Sequence, residues 1–122
     1  MGPNKNNIMI VDDNVIMLEF VADFLQLEGY TNIAKYNDPL DAVKAFCNGE
    51  SPHIVISDYN MPHFNGTEFL RIAERFVANL TSIIITADPY NVECPKSNHW
   101  RILDKNLNLC KELSHFINSI HK

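Results

Sequence analysis

The stretch IVISDYNMPHFNG, residues 54–66, sets the frame for the whole chain. Its first three residues are apolar and β-branched, in a run too short for a helix, which describes a strand buried on both faces. The run stops at Ser57 and a single carboxylate, Asp58, and a loop punctuated by Pro62 and Gly66 follows. Two further runs read the same way: Ile8-Met9-Ile10-Val11 and Ile83-Ile84-Ile85. Asn32 to Tyr36 and Trp100 to Leu103 mix charged with apolar residues, as edge strands do.

Helical patterns lie between these runs. Asn14 to Glu28 carries Val15, Leu18, Ala22 and Leu25 at three- and four-residue steps and stops at Gly29. Asp38-Pro39 is a helix start, with Asp38 capping and Pro39 in the first helical position, and that helix ends near Gly49. A third helix is expected from about Gly66 to Ala78 and a last one from about Asn106 to Ile120. Such alternation specifies an α/β fold, a parallel sheet covered on both faces. With the second and fifth strands at the edges, right-handed crossovers favour the order 2-1-3-4-5. The crevice then lies beyond the carboxyl ends of the first and third strands.

With 122 residues, the sequence is expected to form one domain with its core at about residues 7–121 and no room for a second domain. The net charge of −5, without any Lys/Arg cluster, argues against a nucleic-acid or anionic-membrane footprint. No apolar stretch approaches a membrane-spanning length, and the polar start MGPNKNN is no signal peptide. Cys47, Cys94 and Cys110 fit neither a disulfide framework nor a zinc site. They are expected to be small core or half-buried residues in a reducing cytoplasm. In that compartment the Asn-X-Thr triplets at Asn65 and Asn79 are chance matches to a glycosylation pattern.

The residues that follow the strands carry the chemistry. They are Asp12-Asp13 after the first, Asp58 at the third, Thr86 at the fourth and Asp104-Lys105 at the fifth. In a parallel sheet all reach one rim. Three close carboxylates raise one another's pKa values, and Lys105 offsets part of that repulsion. An oxygen-rich pocket free of sulfur and imidazole suits Mg²⁺. Taken singly, these acids are ordinary members of strand-to-helix turns, and Asp13 serves equally well as a helix N-cap. Of the five histidines only His63 lies near this rim, and an unpaired histidine there predicts little.

The ordered set Asp12-Asp13, SDYNMP around Asp58, FNG opening the third helix, Thr86-Ala87 and LDK ending in Lys105 resembles the receiver domain of two-component response regulators. The likeness runs along essentially the whole chain. It implies a flavodoxin-like, doubly wound domain in which Asp58 accepts a phosphoryl group from a histidine kinase or a histidine phosphotransfer protein. Asp13, Asp58 and the backbone carbonyl of Asn60 would ligate Mg²⁺, with Asp12 acting through water. Lys105 and the Thr86 hydroxyl would contact the phosphoryl oxygens, and a downstream protein would read the result. A homodimer is left open, and so is whether the chain is a single-domain regulator, a relay intermediate or a piece of a hybrid kinase.

Several positions depart from the family pattern. The switch pair of the family is a threonine, here Thr86, and an aromatic residue on the fifth strand, whose place is held by Ile102, with Trp100 two residues away on the same strand face. Asn106 stands where a cis-proline commonly follows the lysine. A cis bond before a non-proline residue costs about 2.5–4 kcal/mol, so a trans bond is expected. Pro89 and Pro95 leave little room for the helix between the fourth and fifth strands, which is predicted to be short or irregular. These departures keep alive an alternative, a receiver-like interaction module that is not phosphorylated. A hydrolase of the aspartyl-phosphatase kind needs a second acid at position 60, where Asn60 stands. An FMN carrier would want N–H donors where Asp12 and Asp13 present charge.

Overall fold

The computed structural model describes residues 7–95, 97 and 99–120. The three apolar runs become the central strands. β1 (Ile8–Val11), β3 (Ile54–Asp58) and β4 (Thr81–Thr86) are buried along their whole length. β2 (Ile33–Tyr36) and β5 (Trp100–Asp104) are only partly buried and take the edges. All pairings are parallel, and the sheet order is β2-β1-β3-β4-β5. This is the expected topology, and it places every strand's carboxyl end on one rim.

Alternation along the strands divides the core in two. Ile8, Ile10, Ile54, Ile56, Ile83, Ile85 and Leu103 face α1 (Val15–Leu27) and α4 (Leu109–Ile120). Met9, Val11, Val55, Ile84 and Trp100 face α2 (Pro39–Cys47) and α3 (Gly66–Phe76). Asp38 caps α2 through the Leu40 N–H, with Pro39 in the first turn as expected. Asn65 and Glu68 form a reciprocal capping box at the start of α3. Gly29, at φ 98°, ends α1 in the left-handed region that glycine enters without strain. Among the described residues no helix is long and apolar enough to cross a membrane.

Some local expectations need correction. Val15 is exposed, and the buried stripe of α1 is Leu18, Val21, Ala22 and Leu25. Cys47 is exposed, unlike the half-buried Cys94 and Cys110. α3 ends at Phe76 rather than Ala78, and α4 begins at Leu109. Before α4 the Asn106 side chain accepts the Asn108 N–H at 2.8 Å, and the turn it closes precedes the helix. The Lys105–Asn106 bond is trans. Between β4 and β5 the described residues make a single 3₁₀ turn, Pro89–Asn91, and no α-helix. The short or irregular helix expected there is reduced to that turn.

Candidate functional site

Register fixes the rim. Val11 of β1 pairs with Ser57 of β3, Asp58 pairs with Ile85, and Thr86 pairs with Asp104. The residues immediately beyond β1 and β5, Asp12 and Lys105, therefore reach Asp58 along the rim, Asp12 from the adjacent strand and Lys105 from two strands away across β4. Oxygen atoms of Asp12, Asp13 and Asp58 lie within 4.8 Å of one another. The Lys105 Nζ is 2.7 Å from Asp58 Oδ1 and 3.7 Å from Asp12 Oδ2.

Burial separates the three acids. Asp12 and Asp58 are buried, whereas Asp13 is exposed. Burial raises the Asp12 carboxyl to about 6; the Asn14 N–H opposes that rise, the neighbouring Asp58 adds to it and Lys105 draws it back. Asp58 is likewise raised by burial, against the hydrogen bond and charge of Lys105. Asp13 does not cap α1. Asn14 does so, its Oδ1 accepting the N–H groups of Ile16 and Met17. Asp12 Oδ1 in turn accepts the Asn14 N–H at 2.9 Å, so the turn fixes one Asp12 oxygen and keeps Asp13 free of structural duty.

The loop after β3 is held against the strand end. The Gly66 N–H donates to the Tyr59 carbonyl at 2.7 Å, and a Cβ on Gly66 would sit 2.6 Å from the Asp58 carbonyl oxygen. Only glycine permits that approach. Asn60 is exposed within this loop, and His63 is exposed at φ 76°. Thr86 is buried at the rim, and its Oγ1 accepts the Asp88 N–H at 3.1 Å. Its carbonyl accepts the Lys105 N–H at 2.8 Å, which fastens the base of the lysine to β4. The donor set is three carboxylates without sulfur or imidazole, the chemistry of a hard divalent cation.

Ile102 and Trp100 lie on one face of β5, as the sequence implies, but neither reaches the rim. Trp100 opens β5, about 13 Å of strand from Asp104 at the usual rise per residue. Its Nε1 donates to Glu74 Oε2 at 2.7 Å, which anchors the ring to α3. Two contacts escaped the sequence reading. One is this Trp100–Glu74 bond, and the other joins the Thr67 hydroxyl to the Glu93 carbonyl at 2.6 Å. Both span 26 residues, and no local pattern signals them.

Comparison with known proteins gives the same picture. A family model described as "Response regulator receiver domain" matches residues 8–116. The "Transcriptional regulatory protein FlgR" of Helicobacter pylori is 37% identical over 81 residues, covering 66% of this chain and 20% of that protein. The response regulator protein TrrA of Thermotoga maritima, solved in complex with Mg²⁺-BeF, superposes with a TM-score of 0.79 at 26% identity, covering 93% of this chain and 97% of that one. A CheY-like receiver domain protein from Methanospirillum hungatei gives a TM-score of 0.78 at 20% identity, covering 96% of this chain and 94% of that one, a likeness of fold. The chain spans well under two thirds of the curated relative it matches here, FlgR. With a family match over nearly the whole sheet and a rim that carries its acids and lysine in order, this chain belongs to the receiver domains of two-component response regulators.

Proposed function

We propose that Asp58 is a phosphoacceptor, taking a phosphoryl group from the phosphohistidine of a histidine kinase or histidine phosphotransfer protein. The observation that carries this reading is the clustering of Asp12, Asp13 and Asp58 at one rim with Lys105 2.7 Å from Asp58. Asp13, Asp58 and the Asn60 carbonyl would hold Mg²⁺, with Asp12 acting through water. The ion supplies the positive charge that lets an anionic donor approach three acids. TrrA's complex with Mg²⁺-BeF supports this assignment by likeness.

The residues divide the work. An Asp58 carboxylate oxygen attacks phosphorus. A P–O bond forms as the P–N bond to the donor imidazole breaks, and the ring leaves with its electron pair and picks up a proton. Lys105, already at the Asp58 oxygen, neutralises charge on a phosphoryl oxygen as a point charge. The Thr86 hydroxyl accepts the Asp88 N–H, so its own proton is available to a second phosphoryl oxygen. Asp58 is buried at the end of β3, where the Lys105 contact orients its carboxylate. The domain, residues 1–122 with its core at about 7–121, would then signal through contact with a downstream protein.

Incubation with acetyl phosphate and Mg²⁺, followed by intact-mass measurement, tests the reading. One added phosphoryl group is expected, absent in Asp58→Ala and absent in EDTA. A modification that persists in Asp58→Ala would refute the assignment.

A further inference from the structure

Alternation along β3 turns Ser57 to the same side as Val55, toward α2 and α3. Ser57 pairs with Val11 of β1 and Ile84 of β4, and both belong to that apolar layer. It is fully buried there. An aliphatic side chain would fill the place without polar cost, and a hydroxyl in such surroundings needs a partner. The Ser57 Oγ donates to the Asp58 carbonyl at 2.9 Å and lies 3.8 Å from Met61 Sδ. A hydroxyl has one proton and a thioether accepts weakly, so the carbonyl takes it.

That carbonyl begins the loop that carries Asn60. The peptide joining Asp58 to Tyr59 is held at both ends: its N–H donates to the Ile85 carbonyl at 3.1 Å, and its oxygen accepts the Ser57 hydroxyl. Gly66 lies so close to the same oxygen that a Cβ would come within 2.6 Å of it. The next peptide is fastened through its own oxygen, because the Tyr59 carbonyl accepts the Gly66 N–H at 2.7 Å. The Asn60 carbonyl belongs to the peptide after that. Two successive peptides are therefore fixed between the Asp58 side chain and the Asn60 oxygen. Each removes freedom that a cation would otherwise have to freeze on binding.

A second buried serine supplies the contrast. Ser82, on β4, turns to the same side as Ile84, and its hydroxyl has no hydrogen-bond partner among the described residues. The sheet thus accommodates a serine that bonds to nothing, whereas the Ser57 hydroxyl is spent on the backbone of the acid at the centre of the rim. We propose that Ser57 is a positioning residue for the cation site: its hydroxyl fixes the Asp58–Tyr59 peptide and so presets both the Asp58 carboxylate and the Asn60 carbonyl for a divalent ion. This rests on the Mg²⁺-dependent phosphoacceptor reading and deepens it. Ser57 itself touches neither the ion nor the phosphoryl group. It acts through one peptide plane.

The test compares the full chain with Ser57→Ala, Ser57→Val and Ser57→Thr. Threonine and valine have nearly the same shape, so the difference between those two variants isolates the hydroxyl from any overpacking of the layer. In calorimetric titration with Mg²⁺, Ser57→Ala and Ser57→Val should bind about tenfold more weakly than the parent, and Ser57→Thr within about threefold of it, as expected for a group just outside the ligand shell. Without metal, amide hydrogen exchange should quicken at Tyr59 and Gly66 in the Ala and Val variants and stay unchanged in β1. Melting in EDTA reads the stability change separately, and a serine with only a packing role would lower it without moving Mg²⁺ affinity. Equal Mg²⁺ affinity in Ser57→Thr and Ser57→Val overturns the proposal, as does parental affinity in Ser57→Ala. A parent that binds Mg²⁺ yet takes no phosphoryl group from acetyl phosphate refutes the phosphoacceptor reading and leaves Ser57 to be decided by the Mg²⁺ titrations. A parent that binds no Mg²⁺ overturns both.

Discussion

Replacing Lys105 by Met should both destabilise the metal-free domain and tighten its hold on Mg²⁺. The two Lys105 contacts, 2.7 Å to Asp58 and 3.7 Å to Asp12, set the scale. At an effective dielectric constant of about 20 they correspond to attractions of about 6 and about 4.5 kcal/mol. Two effects shrink the net loss. The lysine side chain keeps 21% of its exposure, so part of the ammonium's hydration returns nothing on deletion. Asp12, already raised to about 6, can also take a proton once the ammonium is gone. Breaking a fully buried pair costs about 3–5 kcal/mol, so about 1–3 kcal/mol is expected here. Thermal melting by circular dichroism at pH 7.5 in EDTA should then fall by about 3–10 °C. Titration with Mg²⁺ should show the variant binding about 5–150-fold tighter, the same free energy returned when a cation re-enters the pocket. A variant that melts like the parent, or that binds Mg²⁺ more weakly, would refute the idea that Lys105 balances these two carboxylates.

Asp12 is raised from its ordinary value to about 6, so the native state holds more protons than the unfolded chain between about pH 4 and 6. Metal-free stability should therefore gain from Asp12 as pH falls through that window, while Mg²⁺ affinity drops below about pH 6; Asp12→Asn should flatten both trends in melting and calorimetric titrations. Gly66→Ala would push a Cβ to 2.6 Å from the Asp58 carbonyl oxygen, so the loop must shift. A loss of about 1–3 kcal/mol by urea denaturation is expected, with slower labelling of Asp58 by acetyl phosphate. Ser82 buries its hydroxyl with no hydrogen-bond partner among the described residues, and Ser82→Ala should be neutral or stabilising by about 1 kcal/mol in the same urea assay.

The sheet was legible because its signals are local and redundant. Three short β-branched runs need burial on both faces, and a parallel sheet then delivers their terminal residues to one rim. Asp12, Asp13, Asp58, Thr86 and Lys105 are therefore readable as a set from the sequence. Helix starts at Asp38-Pro39 and Asn65-Gly66 were readable for the same reason, since a cap acts within three residues. What escaped depends on competition or distance. Asn14 rather than Asp13 caps α1 because Asp12 captures the Asn14 N–H and sets the turn one residue later. α4 starts at Leu109, after a turn closed by the Asn106 side chain on the Asn108 N–H, which apolar periodicity does not mark. The Glu74 partner of Trp100 lies on another element, 26 residues back. Its placement also makes Trp100 a reporter of α3 and β5 packing rather than of metal occupancy at the far rim.

The rim works against the stability of the domain that carries it. Asp12 and Asp58 are buried where desolvation and mutual repulsion oppose their charge, and both carboxyls are raised in consequence. A solvated pair of acids would fold more easily but would hold neither a cation nor a phosphoryl group in a fixed place. The cost is carried by strands that need no help from the rim: β1, β3 and β4 are buried throughout, with apolar residues facing helices on both sides. Lys105 offsets part of the repulsion from an edge strand, tied to β4 through its backbone. A divalent ion and a phosphoryl group entering this pocket would each meet charge already assembled and waiting for an opposite partner. The same physics explains why the loops around the acids carry the special geometry, the Gly66 contact and the Asn14 cap, while the strands beneath them are ordinary.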